Sequence, residues 1–182
     1  MQKTQVINLW GGPGISKSTT CAGLFHQMKT MSKEVEMVRE FAKDAFAWKG
    51  VAIQPYHQIY ILGNQIDREI PLYGKVDYLV TDSPIMLCGF YTEYYNKSAS
   101  ISKAVLETLD GVAGLATHHN FILKRRKAYN PKGRFETEEQ ARAIDDAIVS
   151  YLMKYEIPFT ILDVNEEDKI PTILASVEAK KK

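Results

Sequence analysis

The feature that most constrains this chain lies near its start. There the apolar run Gln5-Val6-Ile7-Asn8-Leu9-Trp10 passes without a gap into Gly11-Gly12-Pro13-Gly14-Ile15-Ser16-Lys17-Ser18-Thr19. A short strand that ends in small residues and continues as a helix from about Lys17 leaves few architectures open. The run follows G-x-x-x-x-G-K-[ST], with Gly11, Lys17 and Ser18 in place and Ser16 where the second glycine usually stands. Small residues let the backbone N–H groups from about Gly12 to Ser18 converge on a polyphosphate. The helix that begins near Lys17 turns its positive end to the same place. In such a loop the lysine, here Lys17, reaches the β- and γ-phosphates, and the hydroxyl of Ser18 helps hold Mg²⁺. Gly11 through Thr19 is therefore the expected nucleotide-binding segment. The alternative is a glycine-rich turn without a ligand. Ser16 keeps that alternative open, because its position often needs an unusual backbone conformation.

Helix and strand patterns alternate along the rest of the chain. Helices are expected over Lys17–Met31 and Glu40–Trp48, with a break at Gly50, and from Pro55 to about Ile70. Further helices are expected over Ile85–Tyr95, Ser102–Ala116, Thr137–Tyr155 and Glu167–Ala179. Strands are expected at Glu34–Val38, Asp77–Thr81, Phe121–Lys124 and Phe159–Asp163. Strands separated by helices pair in parallel through right-handed crossovers. Apolar runs such as YLVT and FTIL suit strands buried on both faces. No repeat or linker interrupts the order, so one α/β domain over residues 1–182 is expected, three-layered around a five-stranded parallel sheet. Ligands on such sheets bind at the C-terminal strand ends, where Gly11, Glu40 and Asp82 all fall.

The bulk numbers exclude more than they identify. With 182 residues, 45% of them apolar and 25% charged, the chain suits a soluble globular domain with a sizeable core. No run approaches the roughly 18 apolar residues of a membrane span, so no membrane partner is expected. The N-terminus has no secretory pattern. Cys21 and Cys88 stand alone, as reduced packing residues do in a cytoplasmic protein. His118-His119, the one histidine cluster, has no neighbouring cysteine or spaced acid to complete a metal site. A net charge of +1 gives the whole molecule no strong field for nucleic acid.

Three strand ends deliver chemistry to one rim. Beside the phosphate loop, a carboxylate can order Mg²⁺ or accept a proton from an attacking hydroxyl, and Glu40 and Asp82 are placed for those roles. The alternatives are a first-turn acid for Glu40 and a helix cap for Asp82. The segment from Lys124 to Arg142 carries seven basic residues between a strand and a helix. Thr137 and Gln140 form a capping box at its end. This composition suits a lid over about residues 125–137, with Arg126 and Arg134, and Arg142 as a third candidate, closing over the transferring phosphoryl group. A solvated loop and a stripe for a nucleic-acid backbone are the other readings. On the helix from Pro55, Gln58, Gln65, Asp67 and Arg68 are candidates to fix an acceptor, with Trp48, Tyr56 and Tyr60 to stack on a ring.

The runs GGPGISKST, Arg39-Glu40-Phe41-Ala42-Lys43 and Thr81-Asp82-Ser83 resemble the small P-loop kinases. The chain is most similar to the ribosylnicotinamide-kinase-like ATPase family, and Tyr129-Asn130-Pro131-Lys132-Gly133-Arg134 resembles the lid of its short phage members. The resemblance implies a P-loop NTPase fold, ATP with Mg²⁺ as donor, and a nucleoside-like acceptor. It also implies that Lys17 and Ser18 bind ATP and metal, that Glu40 and Asp82 act as base or metal-ordering acids (Ser18 and Asp82 being the metal residues), and that lid arginines stabilise charge. Ser16 departs from the usual glycine, and Ser83 stands where related nucleoside kinases often carry arginine. The phage-like lid points to a viral origin and so to a host cytoplasm.

Three functions fit these residues. The first is a kinase that transfers the γ-phosphoryl group of ATP to a nucleoside or nucleotide. The second is a kinase acting on nucleic acid, at a 5′-hydroxyl end or at 5-hydroxymethyluracil in phage DNA, where a paired base would have to be flipped out. The third is an ATP-dependent regulatory switch.

Overall fold

The computed structural model describes residues 2–126, 129–130 and 136–180. Its centre is strand β1 (Thr4–Trp10), buried along its whole length. Strands β2 (Val35–Val38), β3 (Tyr78–Thr81), β4 (Ala116–Leu123) and β5 (Thr160–Leu162) complete a sheet in the order β2-β3-β1-β4-β5. All its pairings are parallel. The fold is the expected α/β arrangement.

Period-two alternation sorts β1 between two cores. Ile7 and Leu9 pack with Leu24 and Met28 of α1 (Lys17–Thr30) and with Ile173 and Val177 near the C-terminus. Trp10 packs on the opposite face with residues of α3 (His57–Glu69), α4 (Met86–Asn96), α5 (Ser100–Gly111) and α6 (Glu138–Lys154). The sheet is thus sandwiched, with α1 and α7 (Lys169–Ala179) on one side. Helix α6 starts at the expected capping box: Gln140 N–H donates to Thr137 Oγ1 at 3.2 Å, and Thr137 N–H donates to Gln140 Oε1 at 2.8 Å. No helix among the described residues is long and apolar enough to cross a membrane.

Two expectations need correction. Strand β4 begins at Ala116, not Phe121, and α5 stops at Gly111. The segment Ala-Thr-His-His-Asn has none of the apolar continuity of a buried strand, yet it pairs with β1 from Thr4↔Ala116 onward. Its polar side chains bond across the sheet: His119 Nε2 and Gln5 Oε1 are 2.8 Å apart, though His119 Nδ1 is buried without a partner, and Asn8 Nδ2 donates to Asn120 Oδ1 at 3.1 Å. The expected helix 40–48 is instead a short α2 (Phe41–Ala45) and a separate 3₁₀ turn at Ala47–Lys49, which ends at the expected Gly50 in the left-handed region, φ 65°.

The polar seam also holds a buried carboxyl group whose titration bears on stability. Glu69 is 1% exposed, and Tyr73 donates to its Oε1 at 2.6 Å. Burial pushes its carboxyl up from 4.5 to about 7, although the Tyr73 bond opposes the rise. Nearby, burial and the His119 charge hold His118 down at about 4 instead of 6.5. The raised Glu69 contributes stability that is complete below pH 4.5 and is lost as pH rises through 7, about 3 kcal/mol in all. The depressed His118 acts oppositely: its contribution is complete above pH 6.5 and is lost as pH falls through 4. The two slopes offset each other between pH 4.5 and 6.5. Glu69→Gln should therefore gain on the native chain by about 3 kcal/mol between pH 4.5 and 7.5. Urea unfolding of both proteins at the two pH values measures the gain, and a constant difference would contradict it.

Candidate active site

The phosphate loop leaves β1 at Gly11 and turns through Gly14 at φ 81° and Ser16 at φ 71°, both in the left-handed region. Ser16 ends the turn as the N-cap of α1, but no side chain caps that helix. Thr20 N–H already bonds back to Ser16 O, while the N–H groups of Lys17, Ser18 and Thr19 precede the first helical hydrogen bond. Lys17 folds back over the loop, donating from Nζ to Gly11 O at 2.5 Å and to Gly12 O at 3.1 Å. Small residues, the first amides of a helix and a lysine at one place form a cradle that fits a polyphosphate.

This loop is gripped from the far side of the sheet. Gly12 N–H donates to Asp145 Oδ1 at 2.6 Å. A side chain on Gly12 would collide with Ala141 O at 2.7 Å and with Asp145 Oδ1 at 2.8 Å, so only glycine permits the approach. The other Asp145 oxygen accepts from Arg125 Nε at 3.0 Å, and Arg125 Nη2 donates to Pro13 O at 2.9 Å. The Arg125 side chain is 4% exposed, its guanidinium stands 5.7 Å from the Tyr129 ring centre, and its Nη1 has no hydrogen-bond partner.

Glu40, half-buried, stands where β2 gives way to α2. Its N–H donates to Asp82 Oδ1 at 3.1 Å, and the next N–H, of Phe41, donates to Gln65 Oε1 at 3.0 Å. Asp82 and Gln65 thereby fix the backbone that carries Glu40. Burial pushes the Glu40 carboxyl up, against the nearby Lys17 charge and with help from Asp82. Asp82 itself is 5% exposed. It does not cap α4, which has no side-chain cap.

The loop and Glu40 face a cleft of about 910 Å³, whereas Asp82 stands outside its lining. Lys17, Ser18, Glu40 and Ser83 line it, as do Trp48, Gln58, Tyr91 and Tyr95. Lys43 and Glu136 also reach it, and Tyr95 OH donates to Glu136 Oε1 at 3.3 Å, tying the end of the lid segment to α4. Of the polar residues expected to fix an acceptor, Gln58 lines the cleft. Gln65 serves the backbone instead, Arg68 pairs with Asp44 at 3.2 Å, and Asp67 is exposed. Trp48 lines the cleft, whereas Tyr56 and Tyr60 stand outside its lining, 72% and 55% exposed.

The arginines are placed differently from expectation. Arg126 pairs with Asp163 beyond β5, and Arg142 pairs with Glu138 along α6. Arg134 lies outside the described residues, as do Lys127 and Lys132. Among the described residues, Arg125 is the arginine brought to the phosphate loop. Two sequence signals pointed there. Arg125 continues the alternation of Phe121 and Leu123, and Asp145 falls at helical spacing among the buried Ala141, Ile144 and Ile148. Cys21 and Cys88 are both free and buried; burial and the nearby Glu40 and Glu69 charges push the Cys88 thiol up to about 12.

A parallel sheet with a glycine-rich loop between its central strand and an uncapped helix defines a P-loop fold. An AAA domain family matches residues 6–169, and the chain belongs to that family. The fold is also similar to that of a NadR protein solved in complex with NR, at a TM-score of 0.71 and 13% identity. That alignment covers 96% of this chain but 51% of the NadR protein, so the chain spans about half its relative's length. Thymidylate kinase from Candida albicans matches at a TM-score of 0.65 and 12% identity, covering 98% of this chain and 93% of the kinase. The protein APE1195 matches at 0.53 and 16% identity, covering 98% and 97%. No curated protein sequence matches the chain.

Proposed function

We propose that this protein is a kinase that transfers the terminal phosphoryl group of ATP to a hydroxyl of a nucleoside- or nucleotide-like acceptor. The observation that carries the reading is that Glu40 lines one cleft together with Lys17 and Ser18 of the phosphate loop and with Trp48, Tyr91 and Tyr95. Lys17, Ser18 and the N–H groups of Gly14 to Thr19 would hold ATP with Mg²⁺, which supplies the transferable phosphoryl group. Glu40 accepts the proton of the acceptor hydroxyl at its carboxylate, and its upward shift makes it the better base. Asp82 holds the Glu40 backbone and, with Ser18, would help hold Mg²⁺. Trp48, Tyr91 and Tyr95 supply faces on which a base can stack. The NadR protein bound to NR and the thymidylate kinase, both of this fold, support an acceptor of that size.

A nucleic-acid acceptor is the second reading. Its support is the exposed aromatic rim of Trp48, Tyr56 and Tyr60, with Lys43 Nζ 5.6 Å from the Trp48 ring centre. Aromatic faces beside cations make a platform for single strands. The inward turn of Arg125 and the pairing of Arg126 weaken the basic stripe that a longer track would need.

ATP consumption with Mg²⁺ is to be measured against nucleosides, ribosylnicotinamide, nucleoside monophosphates, 5′-hydroxyl oligonucleotides and hydroxymethyluracil DNA. Stimulation by a small acceptor is expected. Stimulation by DNA alone, falling steeply with salt, would favour the second reading. Consumption indifferent to every acceptor would point to a switch. Glu40→Gln and Asp82→Asn should each lower kcat about 10²-fold. For Asp82→Asn, a raised Mg²⁺ requirement marks a metal role; an unchanged one leaves Asp82 as support for Glu40.

A further inference from the structure

Glu136 is a carboxylate of the cleft to which the phosphoryl transfer assigns no task. It stands just before α6, lines the same cleft as Glu40, and is held at two points. Its main-chain O accepts from the Tyr129 hydroxyl. The Tyr129 ring in turn lies against the phosphate loop, where a Cβ on Gly14 would meet it at 3.0 Å. Its carboxylate accepts at Oε1 from Tyr95 OH of α4, 3.3 Å away, in a solvent-exposed hydrogen bond. We propose that Glu136 is an acceptor-binding residue of this site. It takes a hydroxyl or amino group of the acceptor away from the reacting hydroxyl, and it turns away acceptors that already carry a phosphate. This assignment rests on the kinase reading and names the acceptors such a kinase prefers.

Three neighbours locate the carboxylate. Tyr95 meets it directly, and its charge reaches two further groups. Burial pushes the Glu40 carboxyl and the Tyr91 hydroxyl up, and the Glu136 charge adds to both shifts. Glu40, Tyr91 and Tyr95 all line the cleft, so the Glu136 carboxylate stands among cleft-lining groups at an accessible position.

A carboxylate can only accept, so it gains from a hydroxyl or amine brought beside it and repels a phosphate. The cations of the cleft do not reverse that preference. Among the described lining residues they are Lys17, folded onto the phosphate loop, and Lys43, whose Nζ stands 5.6 Å from the Trp48 ring centre. No arginine is among them, although its planar fork is the side chain best matched to a phosphate. An acceptor phosphate would bring a further charge of about −2 to a cleft that holds Glu40 and Glu136. Glu40 points to the same acceptor for its own reason. A hydroxyl needs a base to take its proton, whereas a phosphate oxygen is already ionised.

The test measures calorimetric binding and transfer from Mg·ATP in parallel, with ribosylnicotinamide, the common deoxyribonucleosides and the 5′-monophosphate of each. The native protein should bind at least one unphosphorylated compound about tenfold or more tightly than its monophosphate. Glu136→Gln should raise the KM of that acceptor about tenfold, leave kcat and the KM of ATP within about twofold, and narrow the preference over the monophosphate. Tyr95→Phe keeps the carboxylate but loses its holder, and should shift the acceptor KM the same way by a smaller factor. Transfer with an acceptor KM that Glu136→Gln leaves unchanged, or a native preference for monophosphates, would overturn the proposal while the kinase reading stands. Acceptor binding that depends on Glu136 without any transfer would overturn the kinase reading and leave Glu136 its ligand. Neither binding nor transfer with any compound would overturn both.

Discussion

Lys17→Ala should fold with a thermal midpoint within a few degrees of the native protein and lose phosphoryl transfer by about 10³-fold. The split follows from what Lys17 touches. From a half-buried position it donates to Gly11 O and Gly12 O, and each bond contributes about 1 kcal/mol net. Water entering from the cleft that Lys17 lines can replace both bonds when the side chain is gone. Transfer has no such substitute, because removing one preorganised charge-stabilising donor typically costs about 10²–10³ in rate. A second effect adds to the first. Lys17 holds the Glu40 carboxyl down against burial, so its removal lets Glu40 rise further. The pH–rate profile of any residual activity should therefore move to higher pH. Thermal unfolding beside single-turnover transfer with Mg·ATP checks both halves. A variant that still turns over at the native rate would remove Lys17 and its loop from the chemistry.

Asp145→Ala should instead be damaging to the fold itself, by about 3 kcal/mol or more. Arg125 is 4% exposed and would keep its charge in a site that no longer neutralises it. Breaking one side of a buried pair costs about 3–5 kcal/mol, whereas replacing both sides with apolar groups is often close to neutral. Asp145→Leu combined with Arg125→Met should therefore recover much of the stability lost in either single variant. Activity should not recover, because Gly12 N–H and Pro13 O lose their ties in the double variant as well. Urea unfolding of the four proteins measures the coupling, expected at about 2–3 kcal/mol. Additive losses would show that the pair does not act as a unit.

Much of the fold was legible because its signals are local. The phosphate loop, the capping box at Thr137 and the apolar runs at 78–81 and 160–162 each lie within a few residues. The start of β4 was hidden for a physical reason. Its first residues are polar since they face one another across the sheet, and pairing partners 110 or more positions away cannot be seen in a window of ten. The site divides the same way. Loop residues and strand-end carboxylates follow from position along one strand, and Lys17, Ser18 and Glu40 do meet at one cleft. Which of two adjacent arginines turns inward depends on Asp145 and Asp163, one on α6 and one beyond β5, and composition alone cannot choose between them.

The left-handed serine at position 16 has a consequence in the unfolded chain. Holding a residue with a Cβ at φ 71° strains the native loop by about 1 kcal/mol. Serine also has fewer unfolded conformations to surrender than glycine, a difference of about 0.4–1 kcal/mol in the opposite direction. The strain outweighs the gain. Ser16 thus makes the same turn as the glycine of the motif at a small net cost, which the packing of the surrounding loop has to carry.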